Sequence, residues 1–190
     1  MTTTTRLGEL TGDYVLDTAR TRIGFTARAA LISRVRGWFE EFEGSAHLDG
    51  DAPARSTARL TIRAKSVQTR NRKRDDHLRG PDFLDGDGHP AVTFASTRVE
   101  QIDGTRFKVT GDLTVRGATR PVTVDFELTG AENDPRGTHR VAFTGRATIS
   151  RGDWGVDGAA GMVGDKVTLE FDIAAVRRAA SWRQSSSVSR

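Results

Sequence analysis

The residues best suited to chemistry lie in one charged stretch from Ser66 to Pro90, which reads "SVQTRNRKRDDHLRGPDFLDGDGHP". Within it, the run from Arg70 to Arg79 contains seven ionisable residues and a histidine. Four interpretations fit these residue types: nucleophilic catalysis, metal binding, nucleic-acid binding and a structural closure. Each makes a different demand on spacing and surroundings.

Nucleophilic catalysis has candidate residues in Ser66, Asp75 and His77. A catalytic triad needs a specific spatial relay between its members, and the sequence has no G-x-S-x-G nucleophile elbow. The residue types alone therefore do not predict a hydrolase. The hypothesis that stays open is an enzyme that acts on a hydrophobic substrate, with His77 and Asp75 as acid and base.

A metal site would draw on His77, Asp75, Asp76 or His89. The "DGDG" segment at Asp85 resembles part of a calcium loop, but it lacks the further carboxylate ligand and the terminal glutamate. The four histidines of the chain do not form a pair at a metal-ligand spacing. We expect no metal, and we expect a neighbouring carboxylate to satisfy His77.

Nucleic-acid binding is suggested by the segment from Arg63 to Arg79, which has seven bases against two aspartates. Barrels that bind single strands place aromatic rings on an exposed basic face. Here the phenylalanines of the regular segments alternate in phase with valine, leucine and isoleucine, which indicates an interior position. Trp38, Trp154 and Trp182 fall outside those segments and are the candidates for exposed aromatics, so this alternative stays open.

The elements that must position these residues are strands, because the dominant period from Thr21 onward is two. We predict about eight or nine antiparallel strands, with Asp-Gly and Gly/Pro turns near Asp49, Asp103 and Gly117. Weaker strand candidates begin near Tyr14, Phe42 and Ala91. The six clearest segments are "TRIGFTAR", "TARLTIRAK", "FKVTGDLTV", "VTVDFEL", "VAFTGRATI" and "VTLEFDIAAV".

The inward positions of these strands combine bulky phenylalanines with many small residues. Alanine or glycine at so many inward positions leaves volume unfilled, which favours an apolar cavity over a filled core. Alternating large and small residues can also pack tightly, so both interiors stay open. The small inward residues are Ala27, Ala58, Ala64, Gly111, Gly145, Ala147 and Ala175.

The charged stretch interrupts the period of two and connects two strands. Asp75 to Arg79 is typical of a short helical turn that Gly80 and Pro81 end, and the "PDFLD" segment can form a second turn. So long a connection favours a functional or capping role.

The composition predicts one globular domain. The 190 residues are 36% hydrophobic and 28% charged, and cysteine is absent. The formal charge of +4 equals the four arginines of the segment 177–190, which has no acidic residue. We therefore expect a flexible N-terminus at 1–12, one folded β domain at 13–176, either a sandwich or a barrel, and a disordered basic tail at 177–190. No export signal or long apolar segment is evident, so we expect a cytoplasmic protein.

Three motifs resemble the YceI-like family of polyisoprenoid-binding proteins. They are "SVQTRNRKRDDHLRGPDFLDGDGHPAVTFAST" from Ser66, "GDLTVRGATRPV" from Gly111 and "SRGDWGV" from Ser150. The resemblance extends from about residue 14 to residue 175. Two positions depart from the family pattern: Ala30 stands where a histidine is typical, and Leu84 stands where a second phenylalanine is usual.

The resemblance implies an all-β, antiparallel, lipocalin-like barrel with a short helical connection between two strands. It implies non-enzymatic binding, transport or sequestration of a polyisoprenoid or similar long-chain amphiphile, commonly by a homodimer. It implies no cofactor, although an isoprenoid or isoprenoid quinone can be the ligand. A transient contact with a membrane surface is a further possibility, and nucleic acid is not an expected partner.

On this interpretation the ligand contacts come from the inward faces of the strands and from the charged connection. Phe83 is expected to point inward from the connection, while its basic residues meet a head group and His77 holds the connection in shape. The expected ligand-binding residues are Ile23, Phe25, Leu60, Ile62, Phe83, Phe94, Leu113, Phe126, Phe143, Phe171, Arg74, Arg79 and His77.

Overall fold

The computed structural model describes residues 6–29 and 32–179. These residues form eleven strands and one α-helix, joined by short turns. The elements are β1 (Gly12–Leu16), β2 (Arg22–Ala29), β3 (Ser33–Phe39), β4 (Phe42–Leu48), β5 (Thr57–Arg63), β6 (Val67–Gln68), α1 (Arg72–Arg79), β7 (Ala91–Gln101), β8 (Arg106–Val115), β9 (Ala118–Asn133), β10 (His139–Ser150) and β11 (Val163–Arg177).

The strands form a closed, antiparallel, eight-stranded barrel, which confirms the predicted fold class. The order β1-β4-β5-β7-β8-β9-β10-β11 is closed by a direct pairing of β1 with β11, in which Tyr14 lies opposite Arg177. Closure removes the unpaired edges that an open sheet would expose.

Three of the eight positions in the barrel wall are each shared by two consecutive strands: β1 with β2, β3 with β4, and β5 with β6. β11 pairs with β1 along its last residues and with β2 along its middle, and β3 and β6 extend the same wall beyond β4 and β5. The interruptions fall at 17–21, 40–41 and 64–66. At the first interruption a side chain replaces the backbone hydrogen bonds: the hydroxyl of Thr21 donates to the carbonyl of Ala174 and accepts from its amide.

Local sequence chemistry explains the continuous part of the barrel. β8 and β9 are joined by Arg116 and Gly117, which both have positive φ, at 52° and 74°. Two successive positive φ angles are typical of the type I′ turn, which matches the twist of a β-hairpin. The turns predicted near Asp49 and Asp103 also lie between paired strands, β4 with β5 and β7 with β8.

One strand escaped the sequence analysis, and regular structure extends past both ends of the expected domain. The segment Ser33–Phe39 was not predicted as a strand, yet it forms β3. The N-terminal segment expected to be flexible includes a 3-10 turn at Leu7–Leu10, and Leu10 is buried against Tyr14. Strand β11 extends to Arg177, one residue beyond the expected domain. The expected tail beyond residue 179 lies outside the described residues.

The connection between β6 and β7 folds back over one end of the barrel, here called the helix end. Helix α1 begins after Asn71, whose side chain accepts a hydrogen bond from the Arg74 amide, and it ends at Gly80. This confirms the predicted helical turn and its stop. Phe83 is buried at 7% exposure as the apolar plug of the connection. In residues 6–29 and 32–179, no helix is long and apolar enough to cross a membrane.

Arg151 holds the loop that closes the helix end beside α1. Its buried guanidinium donates four hydrogen bonds to backbone carbonyls and lies 5.8 Å from the centre of the Phe83 ring. Two of the acceptors lie in the loop before β11 and two lie at the start of β11, so a single side chain ties that loop to the strand that follows it. The acceptors are Val156 at 2.8 Å, Gly158 at 2.7 Å, Val163 at 3.0 Å and Gly164 at 3.0 Å.

We expect Arg151→Ala to lower the free energy of unfolding by about 3 kcal/mol, because four carbonyls lose a charged donor in a buried setting. Urea denaturation followed by circular dichroism measures the change. Arg146→Ala is the matched control, since Arg146 is exposed on β10 and should change stability by no more than about 0.5 kcal/mol. Equal losses in the two variants would contradict this role for Arg151.

Candidate functional site

The interior of the barrel contains a cavity of about 520 Å³. Its lining includes Leu7 and Leu10 at the end opposite α1, and Phe83 and Leu84 at the helix end. Residues from both ends of the barrel therefore line one continuous space along the barrel axis. An apolar space of this size lies within the roughly 300–1,000 Å³ range of ligand sites.

All but one of the residues expected to contact a ligand line this cavity. The exception is Arg79. The cavity-lining members of the predicted set are Ile23, Phe25, Leu60, Ile62, Phe83, Phe94, Leu113, Phe126, Phe143, Phe171, Arg74 and His77.

The phenylalanine rings of the lining lie against glycines of neighbouring strands. A Cβ atom added at Gly145 would lie 2.4 Å from Cε1 of Phe126. At two other glycines an added Cβ atom would lie 2.4 Å from Cζ of a phenylalanine. The rings therefore occupy the volume that the missing side chains would fill, and they lie along the wall instead of across the lumen. The three contacts are Phe25 on Gly37, Phe94 on Gly111 and Phe126 on Gly145.

Aromatic contacts extend this lining around the middle of the barrel. The Phe126 ring lies 6.4 Å from Phe143 and 5.9 Å from Phe171, measured between ring centres. Phe107 meets Phe143 at 6.4 Å in an edge-to-face arrangement. These spacings are typical of favourable aromatic pairs, so the rings stabilise one another's positions on the wall.

The end opposite α1 is closed by apolar residues and one tyrosine. Tyr14 is 1% exposed, and its hydroxyl donates to the carbonyl of Leu10 at 2.8 Å. Burial raises the pKa of Tyr14 above its ordinary value, although the Arg177 guanidinium acts in the opposite direction. The tyrosine therefore stays neutral at physiological pH. The sequence analysis did not assign Tyr14 to the cavity. The weak strand pattern near Tyr14 was the one signal that could have placed it on the barrel wall.

At the helix end, Arg74 lies between the cavity and a buried carboxylate network. Its Nε donates to Thr69 Oγ1 at 2.8 Å, and its Nη2 donates to the Thr69 carbonyl at 2.9 Å. Asp75 is buried and accepts hydrogen bonds from the amide and the hydroxyl of Thr69. The pair Arg74 and Asp75 thus fixes the start of α1 while Arg74 also lines the lumen.

His77 lies on the rim of the cavity beside Phe83. Its Nε2 is 3.1 Å from Oδ2 of Asp82, and its ring meets Phe83 edge-on at 4.9 Å between centres. The expected carboxylate partner is therefore present, but it comes from the turn after α1. His77 and Asp82 are both largely exposed, with side-chain exposures of 54% and 71%.

Arg79 departs from the expectation that it contacts a ligand head group. Its Nε donates to the Lys65 carbonyl at 2.8 Å, and its Nη2 donates to the Val67 carbonyl at 3.0 Å. Its Nη1 lies 3.3 Å from Asp76. Helical geometry turns Arg79 toward the preceding strand, so it attaches α1 to the barrel wall.

The structure does not assemble the residues considered for catalysis. The Ser66 hydroxyl donates to the carbonyls of Arg63 and Glu41, at 2.7 and 3.3 Å. Asp75 binds Thr69, and His77 pairs with Asp82. The hypothesis of His77 and Asp75 as a coupled acid and base therefore lacks the contact it requires.

The structure also places the residues considered for metal and nucleic-acid binding. In the part of the chain that the structure describes, no group of three or more metal-ligating side chains comes together. Trp154, considered as an exposed aromatic, is 4% exposed and donates from Nε1 to the Leu113 carbonyl. Trp38 lies in β3 between the guanidinium groups of Arg22 and Arg70. Trp182 and Ala30 lie outside the described residues.

Comparisons with known proteins agree with this geometry. The YceI-like domain model matches residues 14–175. A UPF0312 protein from Pseudomonas paraeruginosa is 34% identical over 171 residues, which cover 89% of each chain. The crystal structure of the Campylobacter jejuni YCEI protein aligns with a TM-score of 0.73 at 29% identity, and it covers 86% of this chain and 97% of that one.

A more distant structure shares the fold alone. It is described as a polyisoprenoid binding domain from Saccharophagus degradans implicated in plant cell wall breakdown. It aligns with a TM-score of 0.68 at 13% identity, covering 87% of this chain and 98% of that one. Because the family model spans the whole barrel and the Pseudomonas relative aligns along nearly its full length, the chain belongs to the YceI-like domain family.

Proposed function

We propose that the protein binds a polyisoprenoid or a similar long-chain amphiphile inside the barrel and carries or sequesters it. The observation that carries this proposal is the continuous cavity of about 520 Å³, with apolar residues from both ends of the barrel in its lining. Its extension along the axis matches an extended chain better than a compact ligand. The polyisoprenoid-binding domain of Saccharophagus degradans, with its similar fold, supports this choice of ligand class.

The energetics favour such a ligand over a polar one. A cavity lined by leucine, valine and phenylalanine offers water few hydrogen-bond partners, and such cavities stay dry when empty. Each methylene moved from water into the lumen contributes about 0.8 kcal/mol, so an isoprenoid chain can bind tightly with few polar contacts. The lumen therefore selects for chain length and branching, and the rim for the head group.

We propose that the head group lies at the helix end, beside Arg74. Two nitrogens of this guanidinium are engaged by Thr69, and its side chain lines the cavity. The remaining Nη1 can donate to a phosphate or quinone oxygen at the helix end of the lumen. Buried Asp75 fixes Thr69 and so holds Arg74 in place for this contact.

We also propose that the protein has no catalytic role. Ser66, Asp75 and His77 are each engaged by separate partners, which supports binding over reaction. The rival hypothesis is an enzyme that uses the pair His77 and Asp82, because His77 lines the cavity that would hold a hydrophobic substrate. A homodimer and a cytoplasmic location, both expected from the sequence, stay predictions.

We expect Ala58→Phe to weaken binding of a fluorescent isoprenoid at least tenfold, because Ala58 lines the lumen and the added ring occupies ligand volume. Fluorescence titration measures the dissociation constant. Ala95→Phe is the matched control: Ala95 lies opposite the exposed Asp112 on the neighbouring strand and outside the cavity lining. Undiminished affinity in a folded Ala58→Phe variant would place the ligand outside the lumen.

We expect Arg74→Ala to weaken binding of a prenyl phosphate about tenfold while leaving the corresponding prenyl alcohol within twofold, since only the phosphate receives a charge-assisted hydrogen bond. Arg72→Ala, an exposed change on the same helix, should leave both affinities unchanged. Competition against the fluorescent isoprenoid supplies both constants. Equal losses for phosphate and alcohol would remove the head group from Arg74.

We expect no turnover of ester or diphosphate substrates with hydrophobic chains, and we expect His77→Gln to leave isoprenoid affinity within twofold. The physical reason is that the His77 ring contacts Phe83 and Asp82 at the rim and reaches no other candidate catalytic group among the described residues. A pH-dependent hydrolysis that disappears in His77→Gln would instead favour the enzyme hypothesis.

A further inference from the structure

Two large apolar side chains lie exposed on the rim of the helix end. Ile32 is 95% exposed and Met162 is 73% exposed. The pairing of Val163 with Ala29 brings the two adjoining loops to the same part of the rim. Removing such side chains from water is favourable, so their exposure at one place suggests a surface that meets an apolar partner.

The strands that carry this rim are strongly basic on their outer face. Arg28 lies directly opposite Arg34 in the pairing of β2 with β3, and Arg36 lies opposite Thr26. Like charges directly opposite each other destabilise a sheet. In the described part of the chain, none of these three exposed arginines forms an ion pair. The repulsion is therefore uncompensated within the barrel.

The acidic side chains of the neighbouring strand β11, among the described residues, form no ion pair with these arginines. On β11, Glu170 pairs with Gly24 and Asp172 pairs with Arg22, four and six positions before Arg28 along β2. Asp165, nearer the rim, accepts a hydrogen bond from the Gly152 amide, which lowers its pKa. Asp153 and Asp157 precede Met162 in the segment between β10 and β11.

The basic surface continues toward the helix end of the cavity. Arg70, Arg72 and Lys73 are exposed at the start of α1, next to Arg74, which lines the lumen. Exposed apolar side chains, a basic face without ion pairs and the helix end of an apolar cavity thus lie at one end of the barrel. A membrane with anionic lipid supplies the complement of all three: negative charge, an apolar interior and a source of long-chain amphiphiles.

We propose that the helix-end rim, defined as Ile32, Met162, Arg28, Arg34 and Arg36, docks on the surface of an anionic lipid membrane. The two apolar side chains insert among the lipids while the arginines bind phosphate groups. This inference rests on the proposed function, because docking there places the helix end of the lumen against the source of its ligand. A nucleic acid would also attract the arginines, but it would leave Ile32 and Met162 without an apolar partner.

The test is cosedimentation of the full chain with vesicles of phosphatidylcholine alone and of phosphatidylcholine with about one third phosphatidylglycerol. We expect binding to the anionic vesicles that falls as salt rises, because the Debye length shortens. Arg34→Glu with Arg36→Glu should weaken it at least tenfold, given about 1 kcal/mol for each basic residue near an anionic surface. Ile32→Ser with Met162→Ser should weaken it at least threefold.

The opposite end of the barrel offers matched controls. Ile102 is 46% exposed in the loop between β7 and β8, and Arg136 is exposed in the loop between β9 and β10. Ile102→Ser and Arg136→Glu repeat the same chemical changes at the far end and should leave vesicle binding unchanged. The basic tail is present in every variant, so a difference between variants reports on the rim.

Several results would overturn the rim as a docking surface. They are absence of vesicle binding, equal binding to both kinds of vesicle, equal losses in rim and control variants, or binding of a single-stranded oligonucleotide in place of vesicles.

Ligand affinity measured in detergent solution separates the two proposals. Rim variants that keep the wild-type affinity in detergent solution, but take up isoprenoid from vesicles more slowly, support docking. A wild-type protein that does not bind isoprenoid in detergent solution would contradict the lumen proposal alone.

Discussion

The contact of phenylalanine rings with glycine backbones is the constraint on which the hollow barrel depends. A barrel of eight strands is just wide enough for its own side chains to fill it. Here Phe126 lies on Gly145, where even a Cβ would stand 2.4 Å from the ring. The ring therefore lies along the wall, and the lumen keeps its volume. The same rings bury their faces on the neighbouring backbone, so the wall is stabilised without a filled centre.

Closure at the two ends uses different physics. The end opposite α1 is closed by apolar packing around Tyr14 and Leu10. The helix end is closed by polar contacts to backbone carbonyls: Arg151 holds one loop, and Arg79 attaches α1 to the wall. Backbone carbonyls at the ends of strands lack ladder partners, and arginine satisfies several at once. Arg74, His77 and Arg151 line the cavity at this end, and both proposals place contacts with partners there.

The sequence predicts the inward faces well because alternation is local information. Strand phase placed Phe25, Phe126 and Phe171 inside, and the structure has all three in the cavity lining. The same reasoning missed β3, because Gly37 and exposed arginines hide the alternation of Val35 and Phe39. It also interpreted inward glycines as empty volume, whereas rings from adjacent strands cover them. That contact depends on strand register, which one segment alone does not reveal.

Long-range polar contacts lie beyond such reasoning altogether. The sequence analysis assigned no role to Arg151, whose acceptors lie in the following loop and at the start of β11, and Trp154 was taken as a candidate for exposure. His77 was expected to find a carboxylate, and it does. The partner is Asp82 and not Asp75, because α1 buries Asp75 against Thr69. Residue types predicted the kind of contact, and the chain path decided the partner.

The central claim is that the lumen holds a long-chain amphiphile. Native mass spectrometry of the full-length protein, purified gently from its own host, tests it most directly. The account predicts a bound species whose mass is that of a long-chain isoprenoid and which organic solvent extracts from the wild-type protein. It also predicts that the same preparation of Ala58→Phe carries less of it. A wild-type protein found only at its bare mass, with no lipid in the extract, would contradict the account.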